Sequence, residues 1–443
     1  MLDTNPSKFI FNKKYPRGKY FLNNTDLLVI SIKSFFRNEN YLDKLKLYLQ
    51  TYYNQDYAIT CSSCRMALYY ALHSLNLSQG DEVLMTPITI PDMLNMVLLL
   101  GLQPRFVDLN VNDHSVNLEN LKQKVNNKTK VFLLTHISGL SQNLEEIKKI
   151  CSNKKIFLIE DISQSHESTT IDGQKLGEFG DIVVCSLTVG KSISSFVGGV
   201  ILTSNAQRAN RILNIKKSIT RTTPIKVLFD RMLDSFKVGL FTQKFIFNYF
   251  TFYILKFLSF IKVIDLNTIH HSSENKEKIK NDIFLLDQPV KRTKIPEALH
   301  FDISAWQAKF AYEMCLKQIK IYKIRKKNAH LFFDLASENL KKHVSLNFNL
   351  IKNHNYYHIP LILNSTEKLM LLKKYLLNSG VDVGGYSLLL CSDLNEFSEL
   401  KEALPGADMI YKNSIFIPID ETLSVKEVEY LAQIFNRFFL ELS

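Results

Sequence analysis

The residues best suited to chemistry lie in three short motifs between positions 60 and 200. The first motif, Ser62-Ser63-Cys64-Arg65, opens a predicted helix after an apparent turn. A helix N-terminus presents free backbone N–H groups and a positive dipole, so it binds phosphate readily, and Arg65 could add a bidentate contact. The alternative is that a serine only caps the helix and that Arg65 is an ordinary surface residue.

The second motif, Ile159-Glu160-Asp161, places two acids at the end of an apolar strand. Ligands of α/β sheets gather at the carboxyl ends of strands. A carboxylate at such a place can keep a pyridine nitrogen protonated, because the opposite charge favours the cation. Either acid could equally cap a helix or pair with a base.

The third motif runs from Ser186 to Lys191 and is followed by Gly198-Gly199. A lysine amine reacts with the aldehyde of pyridoxal phosphate, a cofactor that also needs an acid beside its ring nitrogen. A single lysine in so basic a chain is ordinarily a solvated surface group. The order of the motifs favours the cofactor site, because a phosphate loop and a strand-end acid precede the lysine.

Composition describes an ordinary globular chain. It has 443 residues, of which 46% are apolar and 22% charged, and this excludes disordered, collagen-like and disulfide-dense proteins. Six cysteines make no disulfide framework, and the Cys61/Cys64 pair lacks a second pair to complete a zinc site, so we expect no metal. The polar N-terminus lacks the apolar core of a signal peptide, and we therefore expect a cytoplasmic protein.

Strands alternate with helices of about ten residues in the first half of the chain, a pattern typical of β-α-β units. We predict strands at 81–85, 105–107, 131–135 and 156–160, and helices at 63–75, 91–101, 118–125 and 144–151. The short apolar strands indicate a sheet that is covered on both faces. The fold class is therefore α/β, with a three-layer αβα domain built on a mostly parallel sheet.

A smaller α+β domain is predicted at the C-terminus. Its elements are a long helix at 306–340, strands at 357–363 and 414–417, and helices at 367–378 and 424–439. We divide the chain into a large domain with an N-terminal arm (1–207), a basic apolar helical insertion and linker (208–298), and the small domain (299–443). The polar stretch 272–294 is predicted to be the linker.

The insertion carries most of the net charge. Residues 208–265 contain eleven Lys and Arg and three acids, which gives +8 of the chain's +12. The uncharged aromatic run 245–255 is too short to span a bilayer. Basic residues among aromatics favour a segment lying peripherally on an anionic membrane; the alternative is a helical hairpin packed on the protein or on a dimer partner. We expect no nucleic acid as partner, because no recognition motif accompanies the charge.

Taken together, the motifs resemble the DegT-type (DegT/DnrJ/StrS) sugar aminotransferases, a pyridoxal-phosphate family of the aspartate-aminotransferase fold (fold type I). The resemblance covers most of the chain except about 208–298. It rests on Ser63-Cys-Arg-Met-Ala-Leu, Gly80-Asp-Glu-Val-Leu-Met-Thr-Pro, Phe106-Val-Asp, Thr135-His-Ile-Ser-Gly139, Ile159-Glu-Asp-Ile-Ser-Gln-Ser-His166, Gly180-Asp181, Ser186 to Gly199, Ser304-Ala-Trp-Gln-Ala and Ile415-Phe-Ile-Pro418.

The resemblance implies a role for each matching residue. Lys191 is the catalytic lysine that binds the cofactor covalently and moves protons. Asp161 pairs with the ring nitrogen and Gln164 with the ring hydroxyl. The other implied cofactor-binding residues are Ser63, Cys64, Arg65 and Ser186 around the phosphate and Ser163 against a ring face. Related sugar 3-dehydrases carry His at the lysine position, so Lys191 favours amino transfer over dehydration.

Three departures from the family pattern concern the same site. Cys64 stands where the family has Gly, and aliphatic Ile90 stands where an aromatic residue stacks on the cofactor. His300-Phe-Asp-Ile-Ser304 replaces a segment whose Asn reaches the neighbouring subunit's phosphate. These changes affect cofactor affinity and substrate choice rather than the class of chemistry.

The resemblance implies a homodimeric, pyridoxal-phosphate-dependent transaminase. The amino-acid donor would be L-glutamate, and the acceptor a nucleotide-activated ketosugar in surface-glycan or amino-sugar biosynthesis. Two alternatives remain: an aminotransferase for a non-sugar ketone, and a non-catalytic relative associated with a membrane.

Overall fold

The computed structural model describes most of the chain. The described residues are 13–18, 24–35, 40–140, 142–217, 221–261, 289–345, 354–386 and 388–442. The predicted linker at 272–294 and the end of the basic insertion at 262–265 lie largely outside them.

Seven strands form one sheet at the centre of the large domain. The strands of this half of the chain are β1 (Tyr57–Cys61), β2 (Glu82–Met85), β3 (Ile88–Thr89), β4 (Gln103–Phe106), β5 (Thr129–Thr135), β6 (Phe157–Asp161), β7 (Ile182–Ser186) and β8 (Gly199–Thr203). All except β3 join the sheet, in the order β1-β8-β7-β6-β5-β2-β4. Only β8 runs antiparallel to its neighbours in this sheet. The mostly parallel sheet confirms the predicted fold class.

Both faces of the sheet are covered, as the apolar strands predict. Val183 packs with helices on one face and Val184 with helices on the other, because successive side chains of a strand point to opposite faces. The helices of the large domain are α1 (Asn24–Phe35), α2 (Tyr41–Tyr53), α3 (Cys64–His73), α4 (Pro91–Leu98), α5 (Leu118–Lys124), α6 (Leu144–Lys154) and α7 (Ala206–Lys216).

The carboxyl ends of three strands meet at one edge of this sheet. Strands β6 and β7 are parallel, and β1 points the same way because β8 is antiparallel to both β1 and β7. Asp161 and Ser186 end their strands, and Ser63 follows β1 by two residues. The topology therefore brings the three chemical motifs to the same edge.

A helical segment follows α7 and consists of α8 (Ile225–Phe241), α9 (Lys244–Ile246), a π-helical turn (Phe247–Thr251) and α10 (Phe252–Phe260). It is anchored to both domains. The Lys244 ammonium lies 2.9 Å from the Glu427 carboxylate of the small domain, and Ser31 Oγ of α1 contacts Met232 Sδ at 3.9 Å. None of the helices in the described part of the chain is long and apolar enough to span a bilayer.

The small domain is a two-stranded antiparallel sheet covered by helices. Its elements are α11 (Ala305–Asp334), α12 (Glu338–His343), β9 (Ile359–Ile362), α13 (Thr366–Asn378), β10 (Leu389–Leu390), α14 (Pro405–Asn413), β11 (Ser414–Ile417) and α15 (Val425–Glu441). Strand β9 pairs with β11, whereas β10 pairs with β3 of the large domain and so connects the two domains.

The structure corrects one predicted element and adds several others. The helix predicted at 306–340 is in fact two helices, because Ser337 caps a new one by accepting the Leu340 N–H at 3.2 Å. Helices α1 and α2 were not predicted. The domain boundaries stay a prediction, although Ala209 and Ile212 of α7 are buried in the core of the large domain.

Candidate active site

The N-terminus of α3 forms one wall of the candidate site. Ser63 caps this helix, since its Oγ accepts the Met66 N–H at 3.3 Å. Strand β8 touches the cap directly: a Cβ on Gly199 would lie 2.3 Å from the Ser63 carbonyl carbon. Only glycine allows this approach, so Gly199 places the unsatisfied N–H groups of the first helical turn at the edge of the sheet.

Asp161 lies beside this helix end and is held in a fixed orientation. Its Oδ1 accepts the Ser163 N–H at 2.9 Å and lies 3.7 Å from the Cys64 sulfur. Burial and the neighbouring Asp161 charge raise the pKa of the Cys64 thiol well above its usual value, so the thiol remains protonated. The carboxylate is 5% exposed. An oriented, largely buried carboxylate is suited to pairing with a cationic ring nitrogen.

Serine side chains connect Asp161 to the end of β7. Ser163 Oγ accepts the Ser186 N–H at 2.9 Å and lies 3.4 Å from the Cys64 sulfur. Ser186 Oγ in turn lies 2.9 Å from Thr188 Oγ1. Cys64, Asp161, Ser163 and Ser186 therefore form one contiguous group, assembled from three separate parts of the sequence.

Lys191 extends from the loop after β7 and is half-buried. Its Nζ lies 5.5 Å from the centre of the Tyr357 ring. Burial lowers the pKa of this lysine, but the charges of Tyr357 and Asp161 more than offset that effect, so its pKa lies above the ordinary value. The charge of Asp161 is among the causes that raise this pKa, so the lysine lies within electrostatic reach of the strand-end acid.

Helix α11 holds the loop that carries Lys191. The Gln307 side-chain amide donates to Ser195 O at 3.0 Å and to Val197 O at 2.8 Å. Phe196 has a φ of +69° and stacks on Trp306, with ring centroids 5.5 Å apart. These contacts keep a strained loop in one conformation, which positions the lysine.

Gln164 is buried beneath the site. Its Oε1 accepts the Ser138 N–H at 2.8 Å, which fixes the orientation of the side-chain amide. Its backbone carbonyl accepts from Asn355 Nδ2 at 2.7 Å. Gly139 makes room for this contact, because a Cβ there would lie 2.5 Å from Asn355 Oδ1.

The sequence analysis missed the segment 354–358, which joins the small domain to the site. Asn355 binds the carbonyls of Gln164 and His166, and its Oδ1 accepts the Tyr357 N–H at 3.0 Å. Tyr357 thereby comes close to Lys191. The available signal was the run His-Asn-Tyr-Tyr-His directly before a strand, an unusual density of hydrogen-bonding side chains.

The two acids of the second motif do different things. Glu160 points away from Asp161, as neighbours in a strand must. Its Oε2 lies 2.8 Å from His136 Nε2 and accepts the Gly177 N–H, while Oε1 accepts the Phe179 N–H at 2.9 Å. This carboxylate holds the loop before β7, and Asp161 is left as the acid of the site.

Two of the predicted cofactor-binding residues make other contacts in this structure. The guanidinium of Arg65 lies 3.6 Å from the fully buried Asp92 carboxylate, which also pairs with Arg292 at 2.6 Å. Ile90 precedes α4 and is half-buried against the core of the large domain. The phosphate contact of Arg65 and the ring contact of Ile90 stay predictions.

The donor set fits pyridoxal phosphate. An oriented carboxylate, a lysine amine coupled to it and the N-terminus of a ten-residue helix meet at the carboxyl edge of one sheet. These are the three groups required by a ring nitrogen, an aldehyde and a phosphate. The described residues contain no group of three or more His, Cys, Asp or Glu placed to hold a metal ion.

Comparison with known proteins agrees with this geometry. Residues 25–226 match the model of the DegT/DnrJ/EryC1/StrS aminotransferase family. The GDP-perosamine synthase of Vibrio cholerae is 28% identical to this chain over 176 residues, and that of Escherichia coli O157:H7 is 30% identical over 177 residues. In both cases the aligned residues make up 40% of this chain and 48% of the relative. The chain thus spans about half the length of the curated relatives it matches.

The fold extends beyond this region of sequence similarity. The structure of Helicobacter pylori PseC, an aminotransferase involved in the biosynthesis of pseudoaminic acid, superimposes with a TM-score of 0.70 over 97% of this chain and 100% of that chain. Its sequence is 15% identical, so this likeness establishes the fold alone. Residues 25–226, which contain the helix end, the strand-end acid and the lysine, are thus similar to the DegT/DnrJ/EryC1/StrS aminotransferase family.

Proposed function

We propose that this protein is a pyridoxal-phosphate-dependent aminotransferase that transfers an amino group from an amino acid, L-glutamate in the simplest case, to the keto group of a nucleotide-activated sugar. One observation supports the proposal: Asp161, Ser186 and the N-terminus of α3 meet at one edge of the sheet, and Lys191 lies in the loop that follows Ser186. The similarity to GDP-perosamine synthases favours a nucleotide-sugar acceptor.

The residues of the site have distinct parts in this reaction. Asp161 would accept a hydrogen bond from the protonated ring nitrogen, and the Ser163 N–H keeps its Oδ1 aligned for that contact. The first turn of α3 and the Ser186 hydroxyl would hold the phosphate, and the Gln164 amide the ring hydroxyl. Lys191 Nζ would attach the cofactor and, once released, carry a proton between reacting carbons. Pyridoxal phosphate itself supplies the electron sink and carries the amino group from donor to acceptor.

Tyr357 and Asn355, which lie outside the matched residues 25–226, would influence the environment of the Lys191 amine. Tyr357 lies over Lys191, and Asn355 fixes the Tyr357 backbone through its Oδ1. Because Asn355 also holds the carbonyls of Gln164 and His166, the small domain and the floor of the site are one unit.

The assembly and compartment are also proposals. We propose a homodimer, as the family resemblance implies, and a reducing cytoplasmic compartment, which the six free cysteines support. Light scattering of the purified protein tests the dimer directly. A mass equal to one chain at micromolar concentration would contradict it.

The first experiment is an absorption spectrum of the full chain with pyridoxal phosphate. We expect a visible band that borohydride removes and that L-glutamate bleaches, and we expect no such band in Lys191→Ala. The matched control is Lys154→Ala, on the exposed surface of α6. If the wild-type protein shows no band at saturating cofactor, the proposed chemistry is wrong.

The second experiment identifies the acceptor. Cofactor-loaded protein is incubated with L-glutamate and a panel of nucleotide-linked ketosugars and simple ketones. Each amine formed should be matched by one 2-oxoglutarate, since the donor loses the amino group that the acceptor gains. Turnover of simple ketones with no turnover of nucleotide-linked sugars would retain the transaminase and reject the sugar acceptor.

A further inference from the structure

Exposed apolar side chains are concentrated in the helical segment 221–261. Thirteen of the 27 large apolar residues that are exposed in the described chain lie in it, although it makes up about a tenth of the described residues. Single exposed apolar residues are ordinary on a soluble protein, whereas a contiguous patch marks an interaction surface.

Helix α8 places its exposed apolar residues in one stripe. The stripe consists of Ile225, Phe229, Leu233 and Phe236, which are spaced four, four and three positions apart. These side chains are 37% to 84% exposed. That spacing aligns them along one side of the helix. Ser235 is buried on another side, so the helix is fixed with the stripe facing outward.

The helix from α9 through α10 repeats this arrangement. Phe245, Tyr249, Tyr253 and Phe257 recur every fourth position, and each is about half exposed or more. The π-helical turn lies within this run, and Phe247 and Phe252 are buried beneath it. The buried pair orients the exposed aromatic stripe outward.

Helix α1 adds exposed apolar residues beside α8. Leu28 and Ile32, four positions apart, are 59% and 48% exposed. The helix adjoins α8, since Asn24 Nδ2 donates to Phe236 O at 3.3 Å. We call the exposed apolar side chains of α1, α8, α9 and α10, together with the π-helical turn, the apolar face.

Cations accompany the apolar face. The segment 221–261 carries six Lys and Arg and two acids. Lys226 and Lys237 each follow a member of the α8 stripe by one position, and Lys256 precedes Phe257; all three are exposed. The two α8 lysines therefore lie along one edge of their stripe.

This pattern distinguishes a lipid surface from a protein partner. Lysine is depleted from protein–protein interfaces, where its desolvation is unfavourable. Helices that lie in a membrane interface have aromatic and aliphatic residues on one side and lysines on the other, where they meet anionic headgroups. The apolar face has the second composition.

We propose that the apolar face attaches the protein peripherally to an anionic membrane. The aromatic side chains enter the boundary between headgroups and acyl chains, and Lys226, Lys237 and Lys256 contact headgroup phosphates. The helices lie along the surface rather than across it, because none in the described part of the chain is long and apolar enough to span a bilayer.

The test is flotation of the full chain, loaded with pyridoxal phosphate, on vesicles of phosphatidylcholine alone or mixed with phosphatidylglycerol. We expect binding to the mixed vesicles that weakens with added salt. The double variant Phe229→Glu/Phe257→Glu should lose binding, because it places two anions in the apolar face. The control Ile171→Glu/Met370→Glu changes two exposed apolar residues elsewhere, 71% and 48% exposed, and should float like wild type.

A lysine variant tests the headgroup contact separately. Lys226→Gln/Lys237→Gln should weaken binding to the mixed vesicles about ten-fold and flatten its salt dependence. Lys149→Gln/Lys154→Gln, which removes two exposed lysines of α6, should change neither. Equal loss in both lysine variants would overturn the headgroup contact.

Two further measurements keep the result interpretable. Phe257→Trp adds a second tryptophan to Trp306, the only one in the chain, and brominated lipids should quench the added emission. Thermal unfolding checks that the glutamate variant is folded. Absence of flotation by the wild type, or a glutamate variant that becomes monomeric while the wild type is a dimer, would overturn the proposal; the latter would assign the apolar face to a second copy of the chain.

Discussion

The edge of the sheet around Lys191 and the helical segment 221–261 use the same types of residue in opposite ways. At the site, Phe196 is buried and stacks on Trp306, and the Lys191 ammonium is coupled to a carboxylate. In the helical segment, Phe257 and Phe260 are 60% and 83% exposed. Aromatic and basic residues thus complete a core in one region and form an outward surface in the other.

The two regions differ in the contacts that fix the conformation of each side chain. Around the site, one residue commonly satisfies several groups, as Asn355 does for two carbonyls and one N–H. The helical segment is held by inward anchors such as the Lys244–Glu427 ion pair, and folding does not require its outward residues. Substitutions should therefore affect chemistry and stability in the first region and association in the second.

The largest effect is expected at Asp161. Asp161→Asn keeps an oxygen for the Ser163 N–H but removes the charge that would stabilise a protonated ring nitrogen. We expect kcat/KM to fall by about 10²–10³-fold, comparable to the loss of a preorganised electrostatic contact, with the fold retained. Steady-state kinetics with the best acceptor of the panel measure it.

Asp408→Asn is the control for that variant. Asp408 pairs with Lys412 at 2.7 Å on the partly exposed surface of α14, and its replacement should leave kcat/KM unchanged. An Asp161→Asn enzyme as fast as Asp408→Asn would show that this acid has no part in the chemistry.

The contact between β8 and the helix end gives the next largest effect. In Gly199→Ala the added Cβ overlaps the Ser63 backbone, which cannot move without displacing the N-terminus of α3. We expect a loss of about 3 kcal/mol in the free energy of unfolding and weaker cofactor binding. Urea unfolding and a cofactor titration measure these. Gly18→Ala is the control, since its Cβ would meet nothing within 4 Å; equal stability of the two variants would contradict the prediction.

Buried histidines around the site predict a loss of stability in acid. Burial lowers the pKa of His354 to about 4 and that of His166 to about 3, from a usual value of 6.5. Below pH 6.5 the unfolded chain takes up protons that the folded protein excludes, so stability should fall as pH decreases toward 4, by up to about 1.4 kcal/mol per pH unit for each histidine. Urea unfolding at several pH values measures this slope.

Histidine variants test whether the residues near the site cause the change of unfolding free energy with pH. His354→Gln should reduce the change of unfolding free energy with pH by the contribution of one buried histidine. His73→Gln, at an exposed position of α3, should reduce it less. A stability that rises on acidification, or an unchanged slope in His354→Gln, would contradict the prediction that burial lowers the pKa of His354.

Local pattern was sufficient for the strand that ends beside Asp161, because short apolar strands alternate with amphipathic helices in this part of the chain. The place of Ser186 beside Asp161 was implied only by the resemblance to the family. The pattern could not choose between Glu160 and Asp161, because adjacent residues of a strand differ only in which face they reach. That choice depends on the loop 177–180, whose N–H groups bind Glu160.

Long-range contacts explain the remaining differences. The approach of Tyr357 to Lys191 joins residues 166 positions apart, and the pairing of Arg65 with Asp92 depends on how α3 packs beside α4. The run 354–358 shows a density of hydrogen-bonding side chains but not which residues they contact, and the sequence has no local signal for the Arg65–Asp92 pair. The break between α11 and α12 did leave one, since Ser337 is a favourable N-cap within a helical pattern.

The prediction with the smallest expected effect compares the stability of one variant from each region. Phe196→Leu removes a buried ring that stacks on Trp306 and packs on Phe310, so it should lower the free energy of unfolding by about 1–2 kcal/mol. Phe257→Leu removes a ring that is 60% exposed, and it should change stability by less than about 0.5 kcal/mol. Urea unfolding of both variants in the same buffer measures the pair. A large loss in Phe257→Leu would mean that the apolar face is already covered within the protein in solution, and the contrast between the two regions would then disappear.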